Sequence, residues 1–155
     1  MTSGIIQQDV NLIDLLNQRQ QMVQKAFEQA WNKQSDISIS NSEWYIITCI
    51  FKKEDRGTGP SSQPGLPISH VTKNIDISRQ AIHKLVKNLS AKKIIEVHKM
   101  EDNKRERRIT LTAFGMDVYK AHTALKVQIE KEFAKKVGQE QVEILKDILL
   151  QDWEM

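Results

Sequence analysis

Residues 68–89 read ISHVTKNIDISRQAIHKLVKNL, and this stretch decides the fold. Ile68, Val71 and Ile75 recur at helical spacing and predict a short helix; Asp76 supplies a turn; Ser78 opens a second helix whose apolar seam is Ile82, Leu85/Val86 and Leu89. Ser is a favoured N-cap, so the first turn of that second helix presents free backbone N–H groups and the positive end of a helix dipole. Away from the seam lie Arg79, Gln80, His83, Lys84 and Lys87, and the whole run from Ser78 to Lys93 contains no acid. Beyond it, Ile94 to Met100 alternates in the manner of a strand, 101–106 is wholly polar, and Arg107 to Thr112 returns as a second strand with Ile109 and Leu111 on one side. Two strands joined by a charged tip make a β-hairpin.

A short helix, a tight turn, a second helix and then a basic-tipped hairpin is the order of a winged helix-turn-helix. In such a motif the first helix braces against a nucleic-acid backbone while the N-terminal turn of the second reads base edges in the major groove. Arg79 and Gln80 stand where they reach those edges, Arg pairing bidentately with guanine and Gln with adenine. His83, Lys84 and Lys87, three to four residues further along the same side, meet phosphates or the far end of the site.

Longer helices flank this middle. Apolar residues at Leu12, Leu15/Leu16, Met22/Val23, Phe27 and Ala30/Trp31 predict an amphipathic helix over about residues 9–33. Ser42 is read as the N-cap, without a full capping box, of a helix from Glu43 to about Lys53 that is apolar on nearly every side and so belongs in a core. It holds Cys49, read as core filler. Asp55 to Pro67 contains three of the six glycines and all three prolines and is read as a loop. From Ala113 a long helix carries Val118, Ala121, Leu125, Ile129 and Phe133 to a stop at Gly138, and a last one runs from Gln139 to about Trp153.

The composition agrees with this plan. At 155 residues the chain suits one domain able to bury roughly 70% of its unfolded surface. With 39% apolar and 28% charged residues it is too apolar, at a net charge of only +3, for a disordered chain. A single cysteine excludes an internal disulfide framework and a Cys-rich zinc site; no apolar run spans a bilayer and no export signal opens the chain, so a cytoplasmic protein is expected. The charge is unevenly placed. Residues 67–108 hold 11 Lys/Arg against 5 Asp/Glu, while 1–66 hold 6 against 7 and 109–155 hold 6 against 8. A basic block between mildly acidic arms points to a polyanionic partner.

Residues 68–89, followed by Ile94-Ile95, resemble without a gap the helix-turn-helix of the MarR family of bacterial transcription regulators. Residues 102–115, DNKRERRITLTAFG, are similar to that family's wing, with its closing Leu111-Thr112-x-x-Gly115 signature. The resemblance extends to a long first helix, a buried second helix around Trp44 and two long C-terminal helices. It implies that Ser78, Arg79, Gln80, His83 and Lys84 face the major groove, that Arg105 enters the minor groove with Lys104 beside it, and that Ser69 touches phosphate. It also implies a small, often aromatic or anionic effector, bound between the dimer helices and the DNA-reading lobe; no effector-binding residue is assigned. The sequence departs from the family at two glycine positions, occupied here by Asp76 and Lys93, and in the one-residue spacing of the acid and arginine of the wing.

The expected fold is therefore mainly α with a small β-hairpin wing, a winged helix-turn-helix flanked by long dimerisation helices. Residues 1–35 form the N-terminal dimerisation helix, 36–112 the DNA-binding lobe and 113–155 the C-terminal dimerisation helices of one intertwined domain. The expected function is sequence-specific binding, as a homodimer, to an inverted repeat in double-stranded DNA, by a ligand-responsive repressor. The alternative is a winged helix that docks a protein partner. Catalysis, a cofactor and a metal are not expected: His70, His83, His98 and His122 show no metal-binding spacing, and no glycine-rich phosphate loop follows a strand.

Overall fold

A computed structural model describes residues 10–55, 65–99 and 106–155. Six helices and three strands follow one another as α1 (Leu12–Gln34), α2 (Asn41–Asp55), β1 (Leu66–Pro67), α3 (Ile68–Asn74), α4 (Arg79–Ala91), β2 (Ile95–Lys99), β3 (Arg107–Leu111), α5 (Ala113–Val137) and α6 (Gln139–Leu150). They form two compact units: Met1–Asp36 with Leu125–Met155, and Ile37–Ala124, with the boundary inside α5.

The second unit holds most of the core. Ile46, Ile47 and Ile50 of α2, Val71 of α3, Ile82 and Leu89 of α4, and Ile94, Ile95 and Ile109 of the sheet region are fully buried. The expected central helix is α2, in contact with β1, β3 and α4. Its cap is Ser40 rather than the expected Ser42: the Ser40 hydroxyl accepts from the Glu43 N–H at 3.2 Å, and the Glu43 carboxylate accepts from the Ser40 N–H at 3.0 Å. This reciprocal pair is the full Ser-x-x-Glu capping box, which satisfies two backbone donors at once.

The sheet has three strands in the order β1-β3-β2, one more than the hairpin alone. β2 and β3 pair antiparallel with Val97 opposite Ile109, and Leu66 and Pro67 of β1 pair with Ile109 and Arg108. Part of the expected 55–67 loop is thus a strand. Two residues show no alternation to read, and Pro67 lies on an edge strand, where its missing N–H is tolerated. Gly65 precedes it with φ 89°, and a Cβ there would lie 2.6 Å from the Ile109 carbonyl oxygen. Arg108, buried, donates to the Gly65 carbonyl at 2.7 Å and ties β1 down.

The passage from α4 into β2 is the most constrained segment. The Lys93 N–H donates to Ser90 O at 3.0 Å and the Ile94 N–H to Leu89 O at 3.1 Å, the two bonds of a Schellman motif. Its left-handed position falls on Lys93, with φ 62°, the only non-glycine with positive φ among the described residues; Asp76, at the other departure from the family pattern, needs no such conformation. The buried side chains of Leu89 and Ile94 supply the apolar pair that accompanies this motif.

α5 then begins directly against this turn. The Thr112 hydroxyl donates to Lys93 O at 2.6 Å and accepts from the Gly115 N–H at 2.8 Å, while the Thr112 N–H donates to Ile94 O at 3.0 Å. A Cβ on Gly115 would lie 2.0 Å from Ile94 O. The Leu-Thr-x-x-Gly signature therefore has a physical content: Thr112 caps the helix on the preceding turn, and Gly115 leaves room for the carbonyl.

In the other unit Asn11 caps α1 through its side chain, which accepts from the Ile13 N–H at 2.7 Å. Gly138, at φ 99°, joins α5 to α6 at the expected stop. α6 ends at Leu150, earlier than expected, and Trp153 beyond it donates its indole N–H to Ile148 O at 2.9 Å.

Two substitutions test the junction. Lys93→Gly removes a left-handed strain of about 1–2 kcal/mol at the cost of about 0.5–1 kcal/mol of backbone freedom, so a gain of up to about 1.5 kcal/mol is expected. Gly115→Ala forces the helix off Ile94 and is expected to cost about 3 kcal/mol. Urea unfolding midpoints should move in these opposite directions at unchanged slope.

Candidate nucleic-acid interface

The interface rests on the two ends and two faces of α4. At its N-terminus the Ser78 hydroxyl accepts from the Ala81 N–H at 3.1 Å, the expected N-cap. The first turn carries no acid, so its remaining N–H groups and dipole meet no negative charge from the helix itself. One face is apolar and inward, with Ile82, Val86 and Leu89 buried and Leu85 half-buried. The other carries Arg79, Gln80, His83, Lys84 and Lys87, all exposed together with Ser78. The structure thus brings six of the nine expected contact residues together, Ser78 at the N-cap and five on an acid-free face of α4.

Ser69 is also exposed, in the first turn of α3, and its carbonyl accepts from the Thr72 hydroxyl at 2.7 Å. α3 and α4 are in contact, joined by residues 75–78. Lys104 and Arg105, expected at the wing tip, lie outside the described residues.

Lys99 and Arg107, on the described part of the wing, carry no signal in the sequence that singles them out. The register sets them directly opposite each other, and both are exposed. Like charges across a strand pair are mutually destabilising, so this is a place where an anion is welcome. Only the register reveals the pairing. Beside them the His98 ring nitrogen Nε2 lies 2.9 Å from the Thr110 hydroxyl and 3.7 Å from the Glu96 carboxylate.

Not every basic residue of the block faces solvent. Arg108 is spent on the Gly65 carbonyl and on Glu106, 3.5 Å away. Lys92 turns its ammonium to Glu43 at 2.8 Å and Ser38 O at 2.6 Å. Two positive charges counted in the sequence therefore belong to the scaffold.

Other side chains of chemical interest lie where α2 meets α5. Trp44 stacks on His122 with ring centroids 3.4 Å apart, and Phe51 on Tyr119 at 4.0 Å. Cys49 is half-buried rather than sealed in the core; burial pushes the Tyr45 phenol above its ordinary pKa, and a hydrogen bond to Cys49 adds to the effect. Among the described residues no group of three or more His, Cys, Asp or Glu is placed to hold a metal, and no helix is long and apolar enough to cross a membrane.

Three strands in antiparallel pairing, the helix pair α3–α4 and long helices before and after them in the chain make the MarR-like winged-helix fold. Among solved structures, MepR, described as a transcription regulator of the Staphylococcus aureus multidrug efflux pump MepA, has a TM-score of 0.70 to this chain. The two share 18% identity, over 90% of this chain and 94% of that one. A Staphylococcus aureus MepR–DNA complex gives a TM-score of 0.67 and 18% identity, covering 91% and 94%. MepR in its DNA-binding conformation gives 0.62 and 18%, covering 90% and 94%. No family model matches the chain, and no curated protein sequence does.

The cap makes a local prediction. Ser78→Ala is expected to lower unfolding stability by about 1 kcal/mol, while Ser78→Asp, which keeps an acceptor for the Ala81 N–H, should lose little. Thermal unfolding of the three proteins at matched pH measures the difference.

Proposed function

We propose that the protein is a sequence-specific DNA-binding transcription regulator of the MarR type. The observation that carries the reading is the exposed, acid-free face of α4, with Arg79 and Gln80 just after a capped N-terminus and His83, Lys84 and Lys87 behind them. In a winged helix-turn-helix that face enters the major groove. Gln80 and Arg79 then read base edges; Lys84, Lys87, His83, Ser69 and Ser78 hold phosphates; Lys104 and Arg105 extend the contact from the wing into the minor groove. The MepR–DNA complex supports the same use of this fold.

The working form is a homodimer. Among the described residues of the unit formed by the terminal helices, Trp31 and Val142 are the only buried large apolar side chains, while Leu12, Ile13, Met22, Val23, Val127, Ile144, Ile148 and Leu149 are 45–65% exposed. So many exposed apolar side chains on these helices call for a cover in solution, and a second copy supplies matching helices about a two-fold axis. Two-fold symmetry makes the target an inverted repeat with half-sites roughly 34–36 Å apart. The residues 1–35, 36–112 and 113–155 serve as dimerisation, DNA-reading and dimerisation segments of one intertwined assembly. Repression released by a small aromatic or anionic effector, in the cytoplasm, completes the reading. A ligand of that kind acts only by binding the DNA-free geometry more tightly.

Duplexes selected from a random pool by the purified protein provide the probe. Gln80→Ala should relax preference at one position in each half-site, costing about 1–3 kcal/mol, and spare affinity for scrambled DNA. Lys87→Ala should weaken all sequences alike and flatten the slope of log affinity against log salt by about 1 per lost phosphate contact in each subunit. A wild-type protein with no affinity for duplex DNA at low salt overturns the reading in favour of a protein-docking module.

Assembly is tested separately. Leu145 and Leu149, 42% and 54% exposed, are not needed to fill the protomer core. Leu145→Asp/Leu149→Asp should therefore give a folded monomer by light scattering, with operator affinity lost.

A further inference from the structure

The Lys92 ammonium closes a contact between three parts of the chain. Its three protons face three acceptors: Ser38 O at 2.6 Å, Glu43 Oε2 at 2.8 Å and Glu43 Oε1 at 3.1 Å. Lys92 is the C-cap residue of α4, Glu43 sits in the first turn of α2, and Ser38 belongs to the segment that links α1 to α2. The Glu43 side chain is only 6% exposed and also completes the capping box with Ser40. Each charge lies at the helix end whose dipole favours it, the acid at an N-terminus and the ammonium at a C-terminus.

Stability alone does not explain such a pair. Burying the Glu43 carboxylate has a desolvation cost that the attraction to Lys92 must offset, and neutral replacements of similar volume are often as stable or more so. What this ion pair supplies, with the Glu43 carboxylate buried and the Lys92 side chain 29% exposed, is one geometry: the ammonium meets all three acceptors only when the C-cap of α4, the start of α2 and residue 38 are in register. α4 is a rigid rod of 13 residues, roughly 20 Å long, with Lys92 just past one end and Arg79 and Gln80 at the other. A tilt of about 3° at the clamped end moves the far end by about 1 Å over that length. Bidentate hydrogen bonds to base edges, unlike contacts of a lysine with a phosphate, do not tolerate such a displacement.

We propose that Lys92 is a positioning residue for base recognition: its ion pair with Glu43, closed by the Ser38 carbonyl, sets the angle at which α4 presents Arg79 and Gln80. Lys92 itself touches no DNA. This rests on the DNA-reading function proposed above and adds to it a determinant of specificity lying at the opposite end of the helix from the bases.

The test uses the full-length protein, a duplex selected by it from a random pool, and a scrambled duplex of the same length. Lys92→Met/Glu43→Gln removes both charges and leaves the net charge of the protein unchanged, and the glutamine amide oxygen still accepts from the Ser40 N–H. The folded double variant is expected to lose about tenfold in the ratio of selected to scrambled affinity, as for one misaligned bidentate contact. Its affinity for scrambled DNA and its salt slope should equal those of the wild type. Lys92→Arg, which keeps the charge beside Glu43, should restore the ratio to within about threefold. A double variant that discriminates like the wild type overturns the proposal, because the ion pair is then scaffold only. A parallel loss on both duplexes with a salt slope flattened by about 1 per subunit also overturns it, because Lys92 is then a phosphate contact. If the double variant does not fold, Lys92→Gln/Glu43→Gln removes the same charges with a shorter side chain whose two amide protons cannot meet all three acceptors, and the same results support or overturn the proposal. A wild type with no affinity for any duplex at low salt is a different result: it removes the DNA-reading function, and the positioning role with it.

Discussion

Everything that α4 presents to its surroundings depends on how the chain leaves it. At that exit the Ile94 carbonyl receives the Thr112 N–H at 3.0 Å, and Gly115 sits where any Cβ would fall 2.0 Å from the same oxygen. Helix α5 can therefore start on top of the turn between α4 and β2. Because interiors are close-packed and transmit strain rather than absorb it, a displacement at this point has no soft place to go. Helix α4, strand β2 and the start of α5 all meet at two or three backbone groups.

The two ends of α4 are built for opposite purposes. Its C-terminus is closed by a Schellman turn, by the buried pair Leu89 and Ile94, and by the Lys92 ion pair. Its N-terminus is capped by one hydroxyl and otherwise open, with exposed Arg79 and Gln80 and no acid in the first turn. A rod fixed at one end and open at the other leaves less ordering to be done if its open end binds, which is what the proposed DNA-reading role asks of it. The same logic separates the basic residues into two groups. Lys84, Lys87, Lys99 and Arg107 are exposed, whereas Lys92 and Arg108 are committed to internal acceptors.

Much of this is legible in the sequence because it is local. Helical periodicity marks α1, α3, α4, α5 and α6, alternation marks β2 and β3, and Gly138 marks the α5–α6 stop, since each signal is written within a few residues of what it controls. The Ser78 cap and the exposed face of α4 follow from the same short-range rules. The Ser40–Glu43 capping box is equally local, yet the expected cap at Ser42 lies two residues away from it. Ser40 and Ser42 both precede the apolar run, and only Ser40 has its Glu three residues on.

What the sequence by itself determined, then, is the order of the helices and of the hairpin strands, the resemblance to the MarR family and the set of side chains on the outer face of α4. Tertiary structure alone decided the rest. β1 is two residues long and exists only because β3 offers it a free edge. The opposition of Lys99 and Arg107 is a matter of hairpin register, and that register is set by pairing across the sheet. The left-handed turn falls on Lys93, not on Asp76, because the Schellman bonds run from Lys93 and Ile94 to carbonyls of α4. Whether a lysine faces solvent or a carboxylate 49 positions away, as Lys92 does, is decided by long-range packing, which no local pattern records. Charge can be counted along a chain; its pairing depends on which distant residues the fold brings within hydrogen-bonding reach.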